Sequence, residues 1–89
     1  MFIKETMAQS NPVLAARAQA ESLTADLYEG ASLQELVSSG EIMAQWVTVP
    51  SGVHQLVVWE STMGGSTVSW LPAEVAEVTP AGVLTWLAP

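Results

Sequence analysis

The stretch WESTMGGSTVSW, Trp59 to Trp70, decides how the second half of this chain folds. Two tryptophans flank a glycine pair, with hydroxyl-bearing residues on both sides. A two-residue type I′ turn at Gly64 and Gly65 predicts a β-hairpin in which Trp59 lies opposite Trp70. Such a cross-strand aromatic pair adds about 0.5–1.5 kcal/mol beyond burial. A ligand loop is disfavoured, because a phosphate-binding glycine loop is longer, leads into a helix and usually carries a lysine.

Segments of β-branched and aromatic residues, separated by Gly and Pro, surround this hairpin and indicate further strands. PSG at 50–52 and TPAG at 79–82 predict two more turns. We therefore predict an antiparallel meander of four or five strands at about 41–49, 53–60, 66–71, 74–79 and 83–87. One alternative stays open: Pro72 and Glu74 also suit the first turn of a helix, although a strand over this segment is favoured.

The first half of the chain predicts a long helix over residues 12–29. Asn11 is a suitable N-cap, Pro12 suits the first helical position, and Gly30 can end the helix in the left-handed conformation. Residues at 3-4-3-4 spacing form one apolar stripe: Val13, Ala16, Ala20, Leu23 and Leu27. The stripe predicts packing on the sheet, with helix pairing between subunits as the alternative.

A shorter helix is predicted over residues 33–38. Ser32 and Glu35 stand at capping-box spacing, and Gly40 suits the position after the helix. Residues 1–10 precede both helices and are predicted to form an arm. The expected fold is therefore one α+β domain over 11–89, with the SH3-like small barrel as a candidate closure of the meander.

Charge excludes several functions. Acidic residues number nine against two basic ones, which gives a net charge of −7. Nucleic acids and anionic membrane surfaces require cations, so direct binding to either is not expected. The N-terminus does not look like a signal peptide, and no apolar run is long enough to span a bilayer, so we expect a cytoplasmic or virion location.

Catalytic and metal-binding patterns are missing from the sequence. There is no cysteine, which removes disulfide, thiolate and zinc-thiolate chemistry. His54 is the single histidine, and Glu74 and Glu77 share a face only if their segment is helical. No nucleophile elbow or dinucleotide-binding fingerprint is present. We predict a protein that is not an enzyme and holds no cofactor or metal.

Apolar character exceeds what one small fold is expected to bury. Hydrophobic residues make up 49% of the chain and charged residues 12%, against a usual charged share of about 25%. Neither face of the predicted strands is cleanly polar, which indicates either a closed barrel or a sheet covered by another chain. Contact residues are expected among the aromatic and arm positions: Phe2, Ile3, Trp46, Trp59, Trp70 and Trp86.

The leading functional hypothesis is a non-enzymatic structural or assembly subunit that self-associates or joins a larger assembly through protein contacts. A virion protein that decorates a capsid or joins head to tail is one such subunit. The alternative is a small acidic inhibitor, of the DNA-mimic or anti-defence type, that binds a basic groove of a host protein. Its candidate acidic face is Glu21, Asp26, Glu29 and Glu35. A third hypothesis is an SH3-like adaptor that binds peptides on exposed aromatic residues.

Overall fold

The computed structural model describes residues 11–64 and 67–88, which form two helices followed by a four-stranded antiparallel sheet. The elements are α1 (Pro12–Leu27), α2 (Leu33–Ser38), β1 (Ile42–Thr48), β2 (His54–Gly64), β3 (Thr67–Val78) and β4 (Leu84–Trp86). The predicted α+β class is confirmed. The arm at 1–10 and the last residue lie outside the described residues.

The sheet is an open meander with strand order β1-β2-β3-β4. Among the described residues β1 pairs only with β2, and β4 pairs only with β3. The SH3-like barrel therefore stays a prediction. None of the helices in the described part of the chain is long and apolar enough to cross a membrane.

The predicted register of the central hairpin is wrong by two residues. Gly64 pairs with Thr67, so Trp70 lies opposite Ser61 and Trp59 lies opposite Pro72. Trp59 and Trp70 do not face each other directly. They lie on the same face as diagonal neighbours, because side chains alternate along a strand.

One long strand replaces the two predicted at 66–71 and 74–79. Pro72 lies inside β3, at a level that the neighbouring β4 does not reach. By the alternation of hydrogen-bonded pairs from Val49–Val53, Trp59 directs its backbone groups to β1, so the Pro72 nitrogen faces away from β2, on a side where no described residue pairs with it. A β-bulge opposite Leu56 and Val57 leaves Val75 as the extra residue. The segment 72–78 is thus strand, as favoured, and four strands form rather than five.

Hydrogen bonds confirm the predicted start of α1 and correct its end. The Asn11 side chain accepts from the N–H groups of Val13 and Leu14, both at 3.1 Å. At the other end Glu29, and not Gly30, has the left-handed conformation, with φ 56°. The Gly30 N–H donates to the Ala25 carbonyl at 2.9 Å, which closes a Schellman motif. The helix therefore ends at Leu27 and not at residue 29.

Gly30 is required for close packing, since a Cβ atom there would lie 2.4 Å from Leu36 Cγ. The α2 bounds match the prediction. Ser32 Oγ accepts from the Glu35 N–H at 3.1 Å, and Gly40, at φ 81°, follows the helix.

The β1–β2 turn and the β3–β4 turn have the same backbone conformation and the same hydrogen bond. Gly52 and Gly82 follow Pro-Ser and Pro-Ala, with φ angles of 90° and 86°. Each glycine N–H donates at 2.8 Å to the carbonyl three residues earlier, on Val49 or Thr79. Proline sets the first turn residue and glycine supplies the left-handed one, as predicted from PSG and TPAG.

The hydrophobic core lies between the helices and one face of the sheet. Its buried members are Ala20, Ala25, Leu36, Ile42, Leu56, Val58, Val75 and Ala76. The predicted helix stripe is correct at Ala16 and Ala20, so α1 does pack on the sheet. It is wrong at Leu27, which is 38% exposed, while Thr24 is fully buried. Thr24 can be buried because its hydroxyl donates to the Ala20 carbonyl at 2.8 Å.

Candidate protein-interaction surface

The sheet face opposite the helices carries a cluster of apolar side chains near the central hairpin. The register pairs Met43 with Trp59 and Trp59 with Pro72, so these three form a row across β1, β2 and β3. Val68 and Trp70 follow on the same face of β3. We call these five residues the tryptophan patch. The exposed fractions are 46% for Met43, 51% for Val68 and 38% for Trp70.

Strand length explains why this cluster is uncovered. The last pair between β1 and β2 is Ile42 with Glu60, so beyond Glu60 no described residue pairs with the outer edge of β2. Both helices pack on the other face, where the core lies. Leu71, on that helix-side face of the protruding hairpin, is also 57% exposed. The hairpin thus exposes apolar side chains, Val68, Trp70 and Leu71, on its two faces, and contiguous exposed apolar surface usually marks an interface.

Polar residues cover the opposite end of the same face. Glu74 pairs with Val57 and Glu77 pairs with Gln55, so both carboxylates lie on this face. From their spacing of three, the two glutamates were expected to share a face only in a helix. The bulge at Val75 has the same effect in a strand, because the extra residue resets the alternation. Partial burial and the neighbouring Glu77 carboxylate raise the pKa of Glu74.

Trp46 and Trp86 lie on the helix-side face and pack against the core as half-buried residues. The Trp46 Nε1–H donates to the Glu21 carboxylate at 2.8 Å. The Arg17 guanidinium lies 4.7 Å from the centre of the Trp46 ring, which is cation–π geometry. A cleft of about 270 Å³ borders Trp46, between α2 and β1. The six predicted contact residues are therefore divided, with only Trp59 and Trp70 in the tryptophan patch.

Phe2 and Ile3 lie outside the described residues. The four acidic candidates do not gather around one feature. Glu21 is half-buried and bonded to Trp46, while Asp26 and Glu29 are exposed at the end of α1. Glu35 is in the first turn of α2, where its N–H donates to the Ser32 cap. The acidic-inhibitor hypothesis stays a prediction, and no contact among these residues favours it.

A second cleft, of about 440 Å³, lies where α1 ends over β3, and Tyr28 and Glu60 line it. The Tyr28 hydroxyl donates to the Glu60 carboxylate. Burial, the hydrogen bond and the negative charge of Glu60 raise the pKa of Tyr28 to about 12. This hydrogen bond joins the residue that follows α1 to strand β2.

His54 is half-buried at the start of β2, and its Nδ1 lies 3.3 Å from the Thr48 hydroxyl. In the described part of the chain no three potential metal ligands come together.

Comparison with family models, with curated proteins and with solved structures gives no significant match to this chain. The interpretation of the surface therefore depends on its own geometry.

Sequence reasoning missed Met43, Val68 and Pro72 as members of the patch. The feature of the sequence that could have identified them is the alternation of side chains along a strand, which places Val68, Trp70 and Pro72 on one face of β3. That signal becomes useful only with the correct hairpin register, because the register decides which residues of β2 lie beside them.

Proposed function

We propose that this chain is a non-enzymatic structural or assembly subunit that works through protein–protein contacts made by the tryptophan patch. The observation that carries the proposal is the position of Trp59, Trp70 and their apolar neighbours on the sheet face that the helices leave uncovered. Tryptophan is enriched at binding hot spots, and charged residues are depleted at interface centres. The partner we propose is a further copy of the chain within a larger assembly.

A virion component that decorates a capsid or joins head to tail is the specific assembly role that we propose. Its support is compositional: few ionic residues, many apolar ones, and polarity supplied by nine serines and seven threonines. The genes that flank this one test the role. Neighbours that encode virion structural proteins would support it, and neighbours that encode anti-defence proteins would point instead to the inhibitor hypothesis.

Two substitutions in the patch test the contact surface. Trp70→Ser and Val68→Ser remove apolar area from side chains that are 38% and 51% exposed, so we expect little change in melting temperature. We expect both to lower the mass that light scattering reports for the wild-type assembly. Leu14→Ser is the matched control, because Leu14 is 50% exposed on α1, away from the patch.

The salt dependence of association separates this proposal from the acidic-inhibitor hypothesis. Contacts made by apolar side chains keep their strength as ionic strength rises, whereas binding by acidic residues weakens steeply. A wild-type protein that remains monomeric up to about 1 mM would contradict the proposal. An interface with a Kd of about 1 mM or tighter would give a detectable fraction of associated protein at that concentration. Patch variants that associate as well as the wild type would also contradict it.

A further inference from the structure

In the part of the chain that the structure describes, the β1 strand is an unprotected edge of the sheet. It is seven residues long, it contains no charged residue and no proline, and its pairing with β2 runs without a bulge. Native proteins usually block such edges with lysine, proline, bulges or very short strands. The other edge follows that rule, since β4 has only three residues. A long, uncharged, regular edge is a template for another strand.

The hydrogen bonds of the first hairpin identify which backbone groups face outward. The Val49 N–H donates to the Val53 carbonyl at 3.0 Å, so these two residues form a hydrogen-bonded pair. Hydrogen-bonded and non-bonded pairs alternate along an antiparallel ladder. Met43, Gln45 and Val47 therefore direct their backbone groups to β2. The residues with outward N–H and C=O groups are Ile42, Ala44, Trp46 and Thr48.

We infer that β1 pairs with β1 of a second copy, antiparallel, about a two-fold axis at Gln45. In this register the whole strand is matched: Ile42 lies opposite Thr48 of the second copy, and Ala44 lies opposite Trp46. Every outward N–H then meets an outward carbonyl. The two Gln45 residues form the central non-hydrogen-bonded pair, with Cα atoms about 4.5 Å apart.

Three features of the strand favour a second copy as the occupant. The uncharged segment places no like charges opposite each other, although the chain as a whole carries −7. Met43 and Val47, which are 46% and 37% exposed, become cross-strand neighbours and cover each other. Glutamine at the axis has both a donor and an acceptor, so two copies of Gln45 can hydrogen-bond. Closed two-fold dimers are also the commonest oligomers.

The pairing joins two four-stranded sheets into one. Both tryptophan patches then lie on a single continuous face. Met43 is covered by the second copy, while Trp59, Pro72, Val68 and Trp70 of each patch remain available for further contacts. The inferred pairing uses the backbone edge of β1 and does not depend on the contact proposed for Trp70. Strand pairing can therefore be tested separately from the patch contact in protein that carries Trp70→Ser.

The test uses charge at the two-fold axis, in the Trp70→Ser background. Gln45 is exposed, so Gln45→Lys and Gln45→Glu leave the core intact. We expect the parent to be a dimer by light scattering at about 1 mM and each charged variant to be a monomer, because like charges lie directly opposite. An equimolar mixture of the two variants should recover the dimer. Thr85→Lys, at the exposed outer strand β4, is the control and should dimerise.

Three results would overturn the inference: a monomeric parent, charged variants that dimerise like the parent, or a mixture that stays monomeric while circular dichroism shows folded chains. None of these bears on the tryptophan patch, which is tested by whether Trp70→Ser lowers the mass of the protein that retains Gln45. A wild-type assembly sensitive to Trp70 but insensitive to Gln45 would retain the proposed function and remove the strand pairing.

Discussion

The junction after α1 gives a sharp prediction, because two adjacent residues should respond in opposite directions. Glu29 carries the left-handed conformation, with φ 56°, although it has a Cβ atom. Replacing it with glycine relieves about 1–2 kcal/mol of strain. The extra freedom of glycine in the unfolded chain offsets about 0.5–1 kcal/mol of that gain. We expect Glu29→Gly to stabilise the protein by about 0.5–1 kcal/mol.

Gly30→Ala should instead destabilise the protein by about 1–3 kcal/mol, which is the usual cost of overpacking. The added methyl would lie 2.4 Å from Leu36 Cγ. Leu36 is 4% exposed and belongs to the core, so it has little space to move. A residue with a Cβ is not disfavoured by the Gly30 backbone, because its φ is not positive.

Urea unfolding of dilute protein, followed by circular dichroism, measures both changes in the free energy of unfolding. Each kcal/mol corresponds to about 4–8 °C in the melting temperature of a domain of this size. If Gly30 were the left-handed residue, as the sequence alone predicts, Glu29→Gly would not stabilise the protein. A neutral or destabilising Glu29→Gly together with a neutral Gly30→Ala would refute this account of the junction.

Two further contacts between α1 and the sheet give predictions of their own. Tyr28 is the single tyrosine, so ultraviolet titration of its phenol should have a midpoint near a pKa of about 12, and Glu60→Gln should lower it. Since the folded pKa exceeds the ordinary value of 10, stability should fall as pH rises from 10 towards 12, and a midpoint at 10 would contradict the contact. Glu21→Ala leaves the Trp46 Nε1–H without its acceptor and should cost about 1–3 kcal/mol in urea unfolding. Asp26→Ala, at an exposed site on the same helix, should change stability by less than about 0.5 kcal/mol, and equal effects of the two would refute the Glu21 prediction.

Local signals predicted the elements of this fold well, because each depends on hydrogen bonds between residues close in sequence. Asn11 caps α1, Ser32 caps α2, and both Pro-x-Gly turns form where the sequence places them. The residue at which α1 ends was harder to predict from the sequence. Gly30 resembles a left-handed cap, but its role is close contact with Leu36, a neighbour that only the tertiary fold reveals.

Non-local features were harder to predict for a related reason. The glycine pair allows more than one hairpin turn, so local chemistry did not fix the partner of Trp59. The bulge at Val75 leaves no clear mark in the sequence, yet it brings Glu74 and Glu77 to one face. Alternation did assign residues to two faces of each strand. Neither face is cleanly polar, so the alternation did not indicate which one the helices cover.

Fluorine NMR of protein labelled with 5-fluorotryptophan tests the central claim most directly, because the chain has four tryptophans and each gives its own resonance. Single Trp→Phe variants assign the signals. As the concentration rises towards about 1 mM, the account predicts that the Trp59 and Trp70 resonances shift and lose their solvent isotope effect, while that of Trp86 stays unchanged. Resonances that are all independent of concentration, or shifts confined to Trp46 and Trp86, would contradict assembly through the tryptophan patch.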